Sequence, residues 1–171
     1  SPVFISLYMA YPKGDKLEVV TQKAVELGAA RIVPFESSRC VKKPKAEKTD
    51  KQTERLQKIA KEAAKQSGRG IVPEVCKPVS FSEMLSLASR AELPLLCYEG
   101  ERTLSLKEAL LGREGVSEIS AVVGCEGGFS EEEARLCREA GLVSVSLGPR
   151  ILRCETAPSY ILSALSFFFE L

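Results

Sequence analysis

The chain has 171 residues, 44% of them hydrophobic and 27% charged, with a formal net charge of +1. That size and balance suit one α/β domain with a self-sufficient core, and no apolar run is long enough to span a bilayer. With 0 histidines, Ser-His and Cys-His catalytic pairs and His-ligated metals are excluded. Any proton transfer must rest on Asp, Glu, Lys, Tyr, Cys or the substrate itself.

The chain opens on Ser1-Pro2-Val3-Phe4, with no basic segment followed by an apolar one to mark a signal peptide. Residues 3–10 read as a strand, ended by Pro12-Lys13-Gly14. Asp15 is placed to cap a helix whose Leu17, Val20, Ala24 and Leu27 share one face, and Gly28 closes it. Residues 31–35 form a second strand, with Pro34 near its end where a missing donor matters least. Residues 42–48 are basic and contain Pro44, which predicts a mobile loop. A long helix follows over 51–67, burying Leu56, Ile59, Ala60, Ala63 and Ala64, and Gly68 stops it. A short strand is expected at 72–75, then a helix over 81–88 capped by Ser80 or Ser82. A strand at 93–98, a short helix at 105–111 and a strand at 118–123 come next. Ser130 and Glu133 make a capping box for a helix over 131–140, which Gly141 ends. The last strand covers 143–147 and the last helix 156–171. Regular alternation of strand and helix predicts an α/β fold with a mostly parallel sheet and helices on both faces.

Charge is unevenly placed. Between Arg39 and Arg69 there are eleven bases against four acids, a local +7 that leaves −6 for the remainder. Such a stripe in a near-neutral protein points to a polyanion on one face, while a solvated helix with Glu/Lys pairs such as Glu54 and Lys58 would look similar. Arg39, Lys51, Lys58, Lys65 and Arg69 are the candidate nucleic-acid contacts. The six cysteines are scattered, without a CxxC pair, and read as reduced thiols of a cytosolic protein. No metal-like spacing is present, so no metal site is expected.

Parallel α/β sheets bind ligands beyond the carboxyl ends of their strands. Three such ends are chemically unusual here. The first is Tyr98-Glu99-Gly100-Glu101. The second is Gly124-Cys125-Glu126-Gly127-Gly128-Phe129-Ser130, whose glycines let backbone approach a ligand and whose helix start can hold an anion. The third is Leu147-Gly148-Pro149-Arg150-Ile151-Leu152-Arg153-Cys154-Glu155-Thr156-Ala157, with two arginines, a carboxylate and a helix cap in a short span. Each alone is also explained by an ordinary turn from strand to helix.

Taken together, the second and third segments resemble the RsmE family of ribosomal RNA uridine N3-methyltransferases, within the SPOUT superfamily. The family pattern is Gly-Pro-Glu-Gly-Gly-Phe, then Leu-Gly-x-Arg-Ile-Leu-Arg-x-Glu-Thr-Ala. The chain matches at Gly124, Glu126, Gly127, Gly128 and Phe129, and again at Leu147, Gly148, Arg150, Ile151, Leu152, Arg153, Glu155, Thr156 and Ala157. Upstream, Pro12-Lys13-Gly14-Asp15-Lys16, Gln22-Lys23-Ala24, Glu26-Leu27-Gly28 and residues 62–69 are similar too. Cys125 stands where the family has Pro, which loosens a preset dihedral, and Pro158 follows Ala157 within a first helical turn.

The resemblance implies one SPOUT-type methyltransferase domain over 1–171, with its C-terminal chain tucked into a trefoil knot. The N-terminal PUA-like β-barrel usual in the family is absent from this chain, either removed or lacking. S-adenosyl-L-methionine would sit bent in a pocket lined by Leu96, Tyr98, Glu99, Gly124, Glu126, Gly127, Gly128, Leu147, Gly148, Arg150, Ile151, Leu152, Thr156 and Ala157. The reaction would methylate N3 of a uridine in 16S ribosomal RNA, in the cytoplasm. Without histidine, Glu126 or Glu155 is the available base if burial raises its pKa. Arg153 or Arg150 would offset charge on the uracil oxygens, while Glu155 could instead orient an arginine. The catalytic candidates are therefore Glu126, Arg153 and Glu155. Ribosomal RNA or the small ribosomal subunit is the implied partner, with no membrane and no metal. The last helix, with Tyr160, Ile161, Leu165, Phe168 and Phe169, would build a homodimer, or else be an ordinary core helix. Two other readings stay open: a non-catalytic RNA-binding module that kept the fold, and a Rossmann-type nucleotide-binding enzyme, against which the missing GxGxxG counts.

Overall fold

The computed structural model describes residues 2–41, 43 and 46–171. Its elements run β1 (Phe4–Ala10), α1 (Lys16–Glu26), β2 (Arg31–Phe35), α2 (Ala46–Gln66), β3 (Glu74–Val75) and α3 (Phe81–Ala88). They continue with β4 (Leu93–Cys97), α4 (Leu106–Leu110), β5 (Glu118–Val123), α5 (Glu131–Glu139), β6 (Val143–Val145) and α6 (Thr156–Glu170). The six strands form one parallel sheet in the order β3-β2-β1-β5-β4-β6. Tyr8 of β1 lies between Val33 of β2 and Val122 of β5, and Leu96 of β4 lies between Val122 and Ser144 of β6.

Successive residues of β1 and β5 are buried without alternation, from Ile5 to Ala10 and from Ile119 to Val123. Neighbouring side chains on a strand point to opposite faces, so unbroken burial means helices cover both faces. α1 packs on α2 and α6, α6 also meets β5, and α3 leans on β1 and β5. Ile5, Leu7, Met9, Leu95, Leu96 and Ile119 are fully buried at the sheet's centre. Each contributes about 1.5–3 kcal/mol relative to an exposed position, so stability resides in the central strands.

Helix starts obey local chemistry. Ser80, Ser105 and Ser130 each accept from the N–H three residues on, and Glu83, Glu108 and Glu133 reciprocate. Each such cap contributes about 1 kcal/mol. Asp15 holds the N-cap position of α1 without a side-chain bond; only its carbonyl engages, accepting from the Glu18 N–H at 3.0 Å. The N-cap position of α6 is Glu155, with Thr156 the first helical residue.

Boundaries moved by two residues or more in three places. α2 begins at Ala46 rather than 51, because Ala46, Glu47 and Lys48 are good helix formers and Glu47 falls in the first turn. Of the loop expected over 42–48, Lys42, Pro44 and Lys45 lie outside the described residues. β3 keeps only Glu74 and Val75, since Pro73 has no N–H to pair and Ile71 and Val72 are exposed. Gln57 of α2 holds this short strand instead, donating to the Pro73 carbonyl and accepting from the Val75 N–H, both at 2.9 Å. β6 stops at Val145, where Ser146 turns its backbone toward Leu104 and Leu106.

Candidate active site

All six strands run the same way, so the segments that follow them emerge on one edge of the sheet. The segments after β1, β4, β5 and β6 enclose a cavity of about 410 Å³ there, a size that suits one small molecule. Tyr98 and Glu99 line it from the β4 side, and Gly124, Glu126 and Gly128 from the β5 side. Leu147, Gly148, Arg150, Ile151, Leu152 and Ala157 line it from the segment after β6, with Arg153 and Glu155 among them. Three residues selected from the sequence stand apart from it. Leu96 is fully buried in β4, Gly127 faces Arg39, and Thr156 is exposed at the start of α6.

The loop after β5 is tightly folded. The Gly128 N–H donates to the Cys125 carbonyl at 2.9 Å, and Gly128 has a φ of +61° that favours glycine. A Cβ on Gly124 would lie 3.1 Å from the Gly128 Cα, and one on Gly128 would lie 2.7 Å from Glu99 Oε1. Cys125 turns inward, its sulfur 3.8 Å from the Ser37 hydroxyl, so the loop stays closed without the proline the family pattern carries. Phe129 is buried and stacks on Phe35 at 6.3 Å between ring centroids. Glu133 reaches back to accept from the Ser38 N–H at 2.7 Å, tying α5 to the segment after β2.

The segment after β6 is open by contrast. Arg150, Ile151 and Arg153 are exposed, Ile151 by 80%. No hydrogen bond or ion pair engages the Arg150 or Arg153 side chain among the described residues. On the β4 side, Glu101 organises the turn, accepting from the Thr103 hydroxyl at 2.6 Å and N–H at 2.8 Å. Those bonds hold its carboxyl down to about 2.

The two candidate carboxylates meet at a residue that sequence reasoning gave no role. Lys16 Nζ lies 3.1 Å from Glu126 Oε1 and 3.3 Å from Glu155 Oε2. The Lys13 N–H also donates to Glu126 Oε1, at 3.0 Å. Burial pushes Glu126 up, but its own N–H, the Lys13 N–H and Lys16 outweigh that and hold it below the usual range. Glu155 is also held low, by its own N–H, the Cys154 thiol and Lys16. This corrects the expectation that burial raises one of them, because ion pairing and N–H donors win over desolvation. Lys16 sits inside a stretch similar to the family, yet 110 residues from Glu126, and no spacing rule could have joined them. Arg102 and Phe129 also line the cavity without having been selected. Two lining thiols stay neutral, since burial pushes Cys97 and Cys154 up to about 12.

The five candidate RNA contacts divide. Lys51, Lys58 and Lys65 are exposed on α2, and Lys65 pairs with Glu62 at 3.0 Å. Arg39 is exposed but donates to the Gly127 carbonyl at 2.9 Å, beside the cavity. Arg69 is withdrawn, donating to the Val25 and Ala29 carbonyls at 2.9 and 2.6 Å. It caps the end of α1, and burial lowers its pKa.

Comparison with known proteins places the whole chain. A family model described as an RNA methyltransferase domain matches residues 1–166. The ribosomal RNA small subunit methyltransferase E of Bacillus subtilis is 41% identical, over 99% of this chain and 68% of its own length. Its namesake in Synechocystis is 34% identical over 99% of this chain, which spans 55% of that relative. Among solved structures, a ribosomal RNA small subunit methyltransferase E from Neisseria gonorrhoeae bound to S-adenosyl methionine superposes with a TM-score of 0.84. It is 34% identical, over 98% of this chain and 67% of that one.

Proposed function

The chain belongs to the RNA methyltransferase family whose model matches residues 1–166, and from that premise we propose that it methylates N3 of a uridine in 16S ribosomal RNA. S-adenosyl-L-methionine is the methyl donor, as in the solved relative that binds it. The observation that carries this reading is the cavity itself, assembled at the strand carboxyl ends from the same segments that carry the family pattern. The residues present fit such a donor. The path of Gly124 and Gly128 leaves no room for Cβ atoms, Leu147 and Leu152 supply apolar wall, and Glu99, Glu126 and Glu155 supply negative charge.

When bound, the donor supplies an electrophilic methyl group on a positively charged sulfur. The chain's residues do the rest. The 98–99, 124–128 and 147–152 segments orient the donor and exclude water. Arg153 and Arg150, exposed at the cavity and unpaired among the described residues, are positioned to offset negative charge on the uracil oxygens or a phosphate. Glu126 or Glu155 takes the N3 proton as the methyl group arrives, and ionisation makes both carboxylates available as acceptors.

RNA approaches from the edge that carries Arg39. α2 starts on that edge and runs away from it, so Lys65 lies about 21 Å further along the helix than Lys51. Of the three candidate lysines on α2, Lys51 is thus the one nearest that edge. The SPOUT-type domain spans 1–171, and its segment after β6 is threaded as a trefoil knot. The support is its route: Ser146 bonds Leu104 of the β4–α4 connection and Leu106 at the start of α4, and α6 then returns to β5 and α1. A homodimer through α6 is supported by exposed Tyr160 and Phe167, whereas Ile161 and Leu165 belong to the core. Ribosomal RNA as substrate puts this work in the cytoplasm; among the described residues, no helix is long and apolar enough to cross a membrane.

A thermal-shift titration followed by methylation of unmodified small ribosomal subunits tests the reading. Stabilisation by S-adenosylmethionine or S-adenosylhomocysteine but not by NAD is expected, then 3-methyluridine by mass spectrometry. No shift with either methyl-cofactor form would sink it, and cofactor-free RNA binding would favour the non-catalytic module.

A further inference from the structure

We infer that Lys16 is a positioning residue of this reaction, holding Glu126 and Glu155 side by side and clasping the loop after β5 to the start of α6. The inference rests on the methyltransferase reading above. Lys16 sits at the start of α1, and its ammonium contacts both carboxylates, at 3.1 and 3.3 Å, with the Cys154 sulfur 3.8 Å away. The Cys154 thiol in turn donates to Glu155 Oε2 at 3.2 Å. Three segments far apart in the chain thus converge on one cation, at the wall of the cavity.

Two carboxylates beside each other cannot both remain ionised without a compensating charge. Lys16 supplies it, leaving the cluster one net negative charge in the cavity that receives a cationic sulfur. The other charged groups facing this cavity are Glu99 and Arg102 from the β4 side and Arg150 and Arg153 from the segment after β6. Lys13 and Asp15 flank Lys16 on its own segment, and the Cys97, Cys125 and Cys154 thiols and the Tyr98 phenol are the remaining ionisable groups on the cavity wall. Among the described residues, none of these four cavity-lining charges forms an ion pair with Glu126 or Glu155, so Lys16 carries the compensation. With Lys16 gone, Glu126 and Glu155 lose the cation that they share and one of the influences that hold each of them low, so the pair retains a proton at a pH where wild type has lost it.

The experiment is the pH dependence of kcat/KM on unmodified small ribosomal subunits, for wild type, K16M, K16R and K16M/E155Q, with S-adenosylmethionine affinity measured by calorimetry for each. Wild type should show no carboxylate acid limb above the ordinary range near about 4.3. K16M should bind the donor yet lose about tenfold or more in activity, with an acid limb moved to higher pH. The sign follows from losing the cation that favours the ionised acceptor. K16R should restore most of the activity, and K16M/E155Q should move the limb back down by removing the like charge. A K16M profile that superimposes on wild type after scaling overturns the role of Lys16 while leaving the enzyme reading intact, as does K16R behaving like K16M. A wild-type chain that neither binds the donor nor transfers methyl overturns the reading and the inference together. K16Q replaces K16M if the methionine variant folds poorly.

Discussion

The two walls of the cavity are built on opposite plans. The loop after β5 is anchored from behind by the Phe129–Phe35 stack, from the side by Arg39, and from below by Glu133 on the Ser38 N–H. The segment after β6 has exposed Arg150, Ile151 and Arg153, and its local bonds join Ser146 with Gly148, the Cys154 thiol with Glu155, and the Arg153 carbonyl with Thr156 and Ala157. One wall is a finished mould, and the other is completed by what it holds. A site that must admit both a cofactor and a nucleotide needs one fixed reference surface and one that yields.

The largest break in that contrast comes from Phe129→Ala. Removing a buried ring costs about 3–5 kcal/mol, so chemical denaturation should show a loss of that order together with loss of donor binding. A loss below about 1 kcal/mol would mean the rigid wall is not anchored by its ring. Hydrogen exchange sharpens the contrast next. Adding S-adenosylmethionine should protect amides of 148–153 by about tenfold more than those of 124–129, whose tight fold should slow exchange before the donor binds. Equal protection would make the two walls equivalent. The smallest effect is graded charge reversal along α2. K51E should weaken binding to ribosomal RNA more than K58E, and K58E more than K65E, each lowering the salt slope by about one unit at most. Equal effects, or none, would return α2 to a solvated face.

The same two walls show what a sequence discloses. Every strand and helix was legible, because parallel strands read as short apolar runs and serine caps mark helix starts. The glycine loop was legible as well, since Gly124 meets Gly128 within the loop and Gly128 takes a positive φ that favours glycine. Lys16 was not, because its partners are brought close only by the β1–β5 pairing and by the return of α6. Arg69 misled for the same reason: a basic residue at the end of a basic helix looks like an RNA contact until the Val25 and Ala29 carbonyls are placed beside it. The direction of the carboxylate shifts was equally hidden, because burial and ion pairing oppose each other and only geometry decides the sum.

The sheet's two outer strands are brief, two residues in β3 and three in β6. An open sheet edge is a template on which a second chain can add a strand, and long edges invite indiscriminate stacking. Here the margins are too short to recruit one. Any self-association would fall to side chains on the helical exterior, where shape can discriminate between partners, and the edges give a crowded cell little backbone on which to zip copies of this protein together.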